Sequence, residues 1–227
     1  KNSKIYSQDY SQGKILNKLK AKGKNKIKNG TLITFSPDPE IFGKDISFKP
    51  DKIYELSKNK AYLQRGIKIY WECNKGLLNR KSSVPSKETL LFSKGLEDFL
   101  KNEISQNNAV HEKVCFQSGN LEDKKGRVEF AIQFNKEKIK YSKAFCNTVY
   151  NMNGGTHDAG FRSGIAKSIR KYAKNKNNKV VSKATQDDIF DQTAYILSVF
   201  ISNPEFEGQT KHKLSSNYVQ KYCDSFV

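Results

Sequence analysis

Residues 204–214, PEFEGQTKHKL, gather groups that suit a phosphate. Glu205, Phe206 and Glu207 lead into Gly208, whose freedom at positive φ lets the chain turn. Gln209 and Thr210 then offer neutral donors and Lys211 an ammonium. Charge-assisted contacts to phosphate are among the strongest polar interactions available to a protein. No glycine-rich phosphate cradle stands near these residues in the sequence. A phosphate-seeking lysine is thus present without a visible nucleotide pocket of its own.

The other candidates for chemistry are weaker. In NGGTH, residues 153–157, His157 invites a catalytic role, but Gly154 and Gly155 supply unusual backbone angles and Thr156 can cap a following helix, so a structural corner is expected. His111 and His212 have no partner at metal-ligand spacing. Cys73, Cys115, Cys146 and Cys223 form no CxxC or Cys/His cluster, which excludes a zinc ribbon and a compact disulfide framework. Free thiols in a reducing cytosol are expected.

Lys and Arg number 41 against 23 Asp and Glu, a formal charge of +18. Such a surplus attracts polyanions, and nucleic acid is the first partner to consider. Lysine and asparagine are abundant along the whole chain, so a merely solvated basic surface also fits. Residues 162–183 hold eight basic side chains and no acid. The apolar run AYILSVFI (194–201) is far too short to span a bilayer. The first residue is Lys, the one methionine is Met152, and YVQKYCDSFV ends the sequence inside an expected helix; a piece of a larger protein is expected.

These groups need elements to position them. KIYSQDY (4–10) has a strand pattern, and from Lys18 to Lys28 a lysine stands at every second position. Either an extended strand with its ammoniums on one face or a solvated loop between strands accounts for that spacing. Asn29-Gly30 marks a turn, TLITF (31–35) is a β-branched strand, and Pro37 and Pro39 end it. Ile53, Leu56 and Leu63 mark a helix closed by Gly66. GIKIYWEC (66–73) alternates and can pair with KETLLFS (87–93), before a short amphipathic helix on Leu96, Phe99 and Leu100. GRVEFAIQFN (126–135) is the clearest strand, and KIKYSKAFCNTVY (138–150) is expected as its antiparallel neighbour. Phe161, Ile165, Ile169 and Tyr172 share one helix face; Thr185-x-x-Asp188 resembles a capping box; AYILSVFI is expected to be central in a sheet. Together these predict an α+β domain, a mostly antiparallel sheet with helices on one side.

Three segments, NGTLITFSPDPEIF, NGGTHDAGFRSG and DIFDQTAYILSVFISNPEFEGQTKHKLSS, stand in the order and at the separations found in bacterial type IIA topoisomerase B subunits. The resemblance covers essentially the whole chain. DIFDQTAYILSV followed by FEGQTKHKLSS is closer to the topoisomerase IV version than to DNA gyrase. It implies that residues 1–48 are the last strands of a GHKL-type ATPase domain and residues 49–227 a complete transducer domain. That transducer is a small sheet with a left-handed βαβ crossover, related to a ribosomal-protein fold. It further implies that Lys211 and Gln209 contact the γ-phosphate of ATP, while Thr31 lies at the floor of the adenine site and Ile33 lines it. The family's catalytic glutamate, its Mg2+-binding asparagine and its glycine-rich lid all lie upstream of Lys1, so this piece alone should not hydrolyse ATP. The implied partners are double-stranded DNA and a topoisomerase A subunit in a cytoplasmic A2B2 heterotetramer, with the B subunits dimerising on ATP binding. The competing reading is a basic nucleic-acid-binding module with no nucleotide role.

Overall fold

The computed structural model describes residues 4–24, 29–78, 83–105, 108–121 and 126–227. The chain divides into two compact units, 1–49 and 50–227.

In the first unit β1 (Lys4–Ser7) pairs antiparallel with β4 (Lys20–Lys24), and β2 (Tyr10–Ser11) with β3 (Lys14–Ile15). The β2–β3 turn is made by Gln12 and Gly13 at φ 49° and 73°, the left-handed pair that two-residue hairpins require. The alternating lysines from 20 to 24 are therefore in a strand; residues 25–28 of that run lie outside the described residues. Helix α1 (Pro39–Phe42) starts where the Asp38 carboxylate accepts from the Glu40 amide at 2.9 Å. The strand expected over Thr31–Phe35 is absent: these residues have no regular structure, and Leu32 and Ile33 are 92% and 78% exposed. A strand needs a hydrogen-bonding neighbour, and among the described residues none is paired with this segment.

The second unit is built on a five-stranded sheet. Its strands are β7 (Cys115–Asn120), β8 (Gly126–Phe134), β9 (Ile139–Cys146), β10 (Val149–Tyr150) and β11 (Gln192–Ile201), in the order β10-β9-β11-β8-β7. All pairs are antiparallel except β9 and β11. The expected β8–β9 pairing is therefore wrong, because β11 inserts between them. Its residues are apolar on both faces, and the centre of a sheet is where a strand covered on both sides belongs. Ahead of the sheet, β5 (Ile69–Glu72) and β6 (Lys87–Leu90) form a separate two-stranded ribbon, as their alternation predicts.

The helices are not confined to one side, which corrects the sequence reading. Tyr195, Leu197 and Val199 of β11 pack with Val128, Phe130 and Ile132 against α4 (Thr156–Asn175), α5 (Gln186–Phe190) and α6 (Asn217–Phe226). Ala194 and Ile196 point the other way, into a second core made with α2 (Pro50–Leu63) and α3 (Leu96–Glu103). A strand alternates faces at every residue, so an unbroken apolar run must be covered twice. Burying each such large side chain contributes about 1.5–3 kcal/mol.

Several local expectations hold. Leu96, Phe99 and Leu100 of α3 are fully buried. Thr185 and Asp188 form a reciprocal capping box at the start of α5. In α2, however, Ile53 and Leu56 are exposed at 38% and 60%, and burial begins only at Ala61, Tyr62 and Leu63. Helices α4 and α6 approach closely because α4 carries Gly160 and Gly164 on one face. A Cβ at Gly160 would lie 2.2 Å from the Gln220 carbonyl oxygen, and one at Gly164 2.6 Å from that of Asp224.

Candidate functional site

After β11 the chain turns through Asn203 (φ 55°) and folds residues 205–215 into a hairpin. Ser215 donates to the Glu205 carbonyl at 2.9 Å, and Glu207 to that of Lys213 at 2.9 Å. Phe206 pairs with Leu214, and a Lys213–Glu207 ion pair at 2.9 Å spans the two arms. Gly208, at φ 77°, makes the turn expected of it. Gln209, Thr210 and Lys211 occupy the exposed tip, and Lys211 itself has a left-handed backbone at φ 57°. Its ammonium stands over the Phe206 ring, and among the described residues no carboxylate pairs with it.

The hairpin is fastened at its returning arm to the 151–156 corner. Leu214 is completely buried; its amide donates to the Gly154 carbonyl at 3.1 Å and its carbonyl accepts from Thr156 at 3.0 Å. Asn153 donates to the His212 carbonyl at 3.0 Å, and the Asn151 side-chain amide to the Lys211 carbonyl at 2.8 Å. Gly155 makes this docking possible. Its φ is 138°, and a Cβ there would sit 2.3 Å from the Leu214 carbonyl oxygen. The expected Thr156 cap is not formed: Gly155 holds the cap position, and the Thr156 hydroxyl is buried without a partner. The Leu214 backbone fills the space in front of the helix start, which selects glycine over a side-chain cap.

His157 is fully buried beneath the corner, with no partner for either ring nitrogen, and burial pulls its pKa down to about 4. Neutral and shut off from solvent, it belongs to the packing, as the sequence reading has it. Beside it Tyr195 donates to Asp158 at 2.6 Å; burial raises the Asp158 pKa, opposed by that hydroxyl and by Arg162. Burial likewise pushes the Cys146 and Cys223 thiols up to about 12, which keeps them protonated.

Gln209 and Lys211 are thus brought together at one hairpin tip of the second unit. Thr31 and Ile33 lie in the first unit, both exposed, in the segment without regular structure. The described residues hold no group of three or more His, Cys, Asp or Glu placed to bind a metal ion. The sequence reading missed Asn151 and Asn153 as the clamp on the hairpin and Phe206 as the platform under the ammonium. Asn-Met-Asn before Gly-Gly carries no signal for the first, since Asn153 contributes only its backbone N–H and the Asn151 side chain meets a peptide oxygen. An aromatic five positions before the lysine was the available signal for the second.

Of the eight basic residues between 162 and 183, three serve the fold. Arg162 stacks on Phe190 with its guanidinium 4.4 Å from the ring centre, Lys167 pairs with Asp224 at 2.8 Å, and Arg170 donates to the Ala184 carbonyl at 3.1 Å. Lys171, Lys174, Lys176, Lys179 and Lys183 are exposed, around an exposed Tyr172. No helix among the described residues is long and apolar enough to cross a membrane.

The family model of DNA gyrase B matches residues 95–227, more than half of the chain. The B subunit of DNA topoisomerase 4 from Rickettsia typhi is 40% identical over 227 residues, covering 99% of this chain and 34% of that protein. That of Caulobacter vibrioides is 35% identical over 222 residues, covering 96% and 32%. The solved 43K ATPase domain of Thermus thermophilus gyrase B, bound to an aminocoumarin, superposes with a TM-score of 0.75 at 27% identity, covering 98% of this chain and 58% of that one. The chain spans about a third of the length of the relatives it matches. It belongs to the DNA gyrase B family, the B subunits of the bacterial type IIA topoisomerases.

Proposed function

We propose that the chain is the nucleotide-coupling part of a topoisomerase IV-type B subunit. On this reading residues 1–48 complete a GHKL ATPase domain, and residues 49–227 are its transducer, with the β9–α4–β11 connection as the left-handed crossover. The names of the relatives favour topoisomerase IV over gyrase. The observation that carries the reading is the hairpin tip: an exposed ammonium with neutral donors beside it, on a loop whose returning arm is fixed to the core.

That donor set fits the terminal phosphate of ATP. Lys211 neutralises charge on the γ-phosphoryl oxygens and Gln209 donates beside it, and stabilising charge is the main aid a protein gives phosphoryl transfer. Thr31 and Ile33 would line the adenine end, their exposure leaving them open to further residues of the subunit. On this reading the Mg2+ that accompanies ATP is held by residues elsewhere in the subunit, as the family resemblance implies. Because Lys211 holds ATP and not ADP at that end, hydrolysis releases the hairpin and lets the transducer move. Closure of a B-subunit dimer on ATP, followed by release, would drive passage of one DNA duplex through another in a cytoplasmic A2B2 enzyme with its A subunit.

Lys211→Ala in the full-length subunit tests this. ATP turnover is expected to fall about 100-fold or more, with the melting temperature unchanged because the side chain is exposed. Unchanged turnover overturns the reading and favours a basic nucleic-acid-binding module.

A further inference from the structure

We infer that Asn151 is a positioning residue for Lys211: its side-chain amide fixes the backbone from which the ammonium is presented to the terminal phosphate. The inference rests on the phosphate-contact reading of Lys211 given above.

Lysine is disfavoured in the left-handed region, because its Cβ crowds the following carbonyl. A non-glycine residue persists there only when its surroundings over-determine it. Lys211 sits at φ 57°, and its own amide makes only a long bond, 3.4 Å, to the Gly208 carbonyl. The firm restraint is on the other side of the residue, where the Lys211 carbonyl accepts from Asn151 Nδ2 at 2.8 Å. A carbonyl can only accept, so the amide must present its NH2 group there.

Asn151 is itself immobile. It is 1% exposed, its backbone N–H donates to the Ala144 carbonyl of β9 at 2.8 Å, and its own carbonyl accepts from Gly154 at 2.9 Å. A line of three bonded positions thus runs from the central sheet to the hairpin tip. The neighbouring His212 carbonyl accepts from the backbone N–H of Asn153, so two consecutive peptide oxygens are captured by one corner. The rest of the Asn151 side chain contributes little: Oδ1 is buried with no partner, which costs stability. An apolar side chain of the same size would fill the corner without that cost, so the contribution of the amide is its bond to Lys211.

The experiment compares a non-hydrolysable ATP analogue with ADP, binding each to the full-length subunit. ADP lacks the phosphate that Lys211 would touch, so the ratio of the two affinities reads the placement of the ammonium rather than folding. Asn151→Leu is expected to lower that ratio about tenfold, the effect of one hydrogen bond, leaving ADP affinity and melting temperature near wild type. Asn151→Ala, which removes the donor without burying a charge, should lower the ratio similarly and carries the test if the leucine variant does not fold. Lys211→Ala is the reference. If it abolishes the preference while both Asn151 variants keep it, or lower both affinities equally, the positioning role is overturned and the reading of Lys211 stands. If Lys211→Ala keeps the preference, that reading falls and the positioning role with it.

Discussion

The ammonium of Lys211, at the hairpin tip, lies 5.7 Å from the centre of the ring of Phe206 on the leading arm. Phe206 is half-buried against the main core, so its ring face is held in place. A cation over an aromatic face at an exposed site gains about 0.5–1 kcal/mol, less than a charge-assisted phosphate contact provides. The ring is a resting place from which a phosphate would draw the lysine. Phe206→Leu keeps the apolar packing and removes the resting place. The full-length variant should bind a non-hydrolysable ATP analogue about two- to fivefold more tightly, measured by calorimetry. Equal or weaker binding would show that the ring does not compete for the ammonium.

The second prediction concerns acid. His157 is neutral and buried, with a folded-state pKa near 4 against an ordinary 6.5. The unfolded chain therefore binds a proton that the folded chain refuses between those two values. Stability from this group is fully present above pH 6.5 and is lost as pH falls toward 4, by about 3 kcal/mol in all. His157→Leu should flatten that part of the pH dependence in urea melts at pH 7, 5.5 and 4. Because neither ring nitrogen is partnered, the variant loses no hydrogen bond. An unaltered slope would assign the acid sensitivity to other groups.

What the sequence shows and what it hides divide along physical lines. Strand β8, strand β11, helix α3 and the Thr185 capping box are legible because each is a local pattern: alternation, an apolar run, a helical face or a reciprocal cap. The partner of β8 is not, since alternation says which residues face a core and not which strand lies beside them. The same run AYILSVFI that marks β11 as central also implies two covering layers. Ile53 and Leu56 suggest one boundary for α2, yet its buried face is formed by Ala61, Tyr62 and Leu63. In the site, Gly208 to Lys211 is visible as an exposed turn that carries an ammonium and neutral donors. The clamp by Asn151 is invisible because its acceptor is a peptide oxygen, which every residue has.

Packing of α4 on α6 gives a third prediction. Alanine favours a helix over glycine by about 1 kcal/mol, so Gly160→Ala would stabilise an isolated α4. Here the new methyl would meet the Gln220 carbonyl oxygen at 2.2 Å, backbone that cannot rotate away. Overpacking of this kind costs about 1–3 kcal/mol beyond the helix gain, and the melting temperature should fall. A variant as stable as wild type would mean that α6 slides off this face freely.

The last prediction separates the basic residues that build the fold from those left to meet a polyanion. Lys167 is tied to Asp224, whereas Lys171 and Lys174, three positions apart and so on one side of α4, are exposed. If this face meets the backbone of a duplex, each lysine that neutralises a phosphate releases about 0.9 counterion. The pair Lys171→Ala and Lys174→Ala in the full-length subunit should then weaken duplex binding and lower the slope of log affinity against log salt by about 2. The loss should be the same for duplexes of different sequence, because phosphate contacts carry no base information. Stability should be unchanged, since neither residue contacts the core. Lys167→Ala is the control: it loosens α6 through Asp224 and should leave the salt slope alone. An unchanged slope in the double variant would leave these lysines as solvated surface, and a slope lowered equally by Lys167→Ala would tie the effect to α6 rather than to the exposed face.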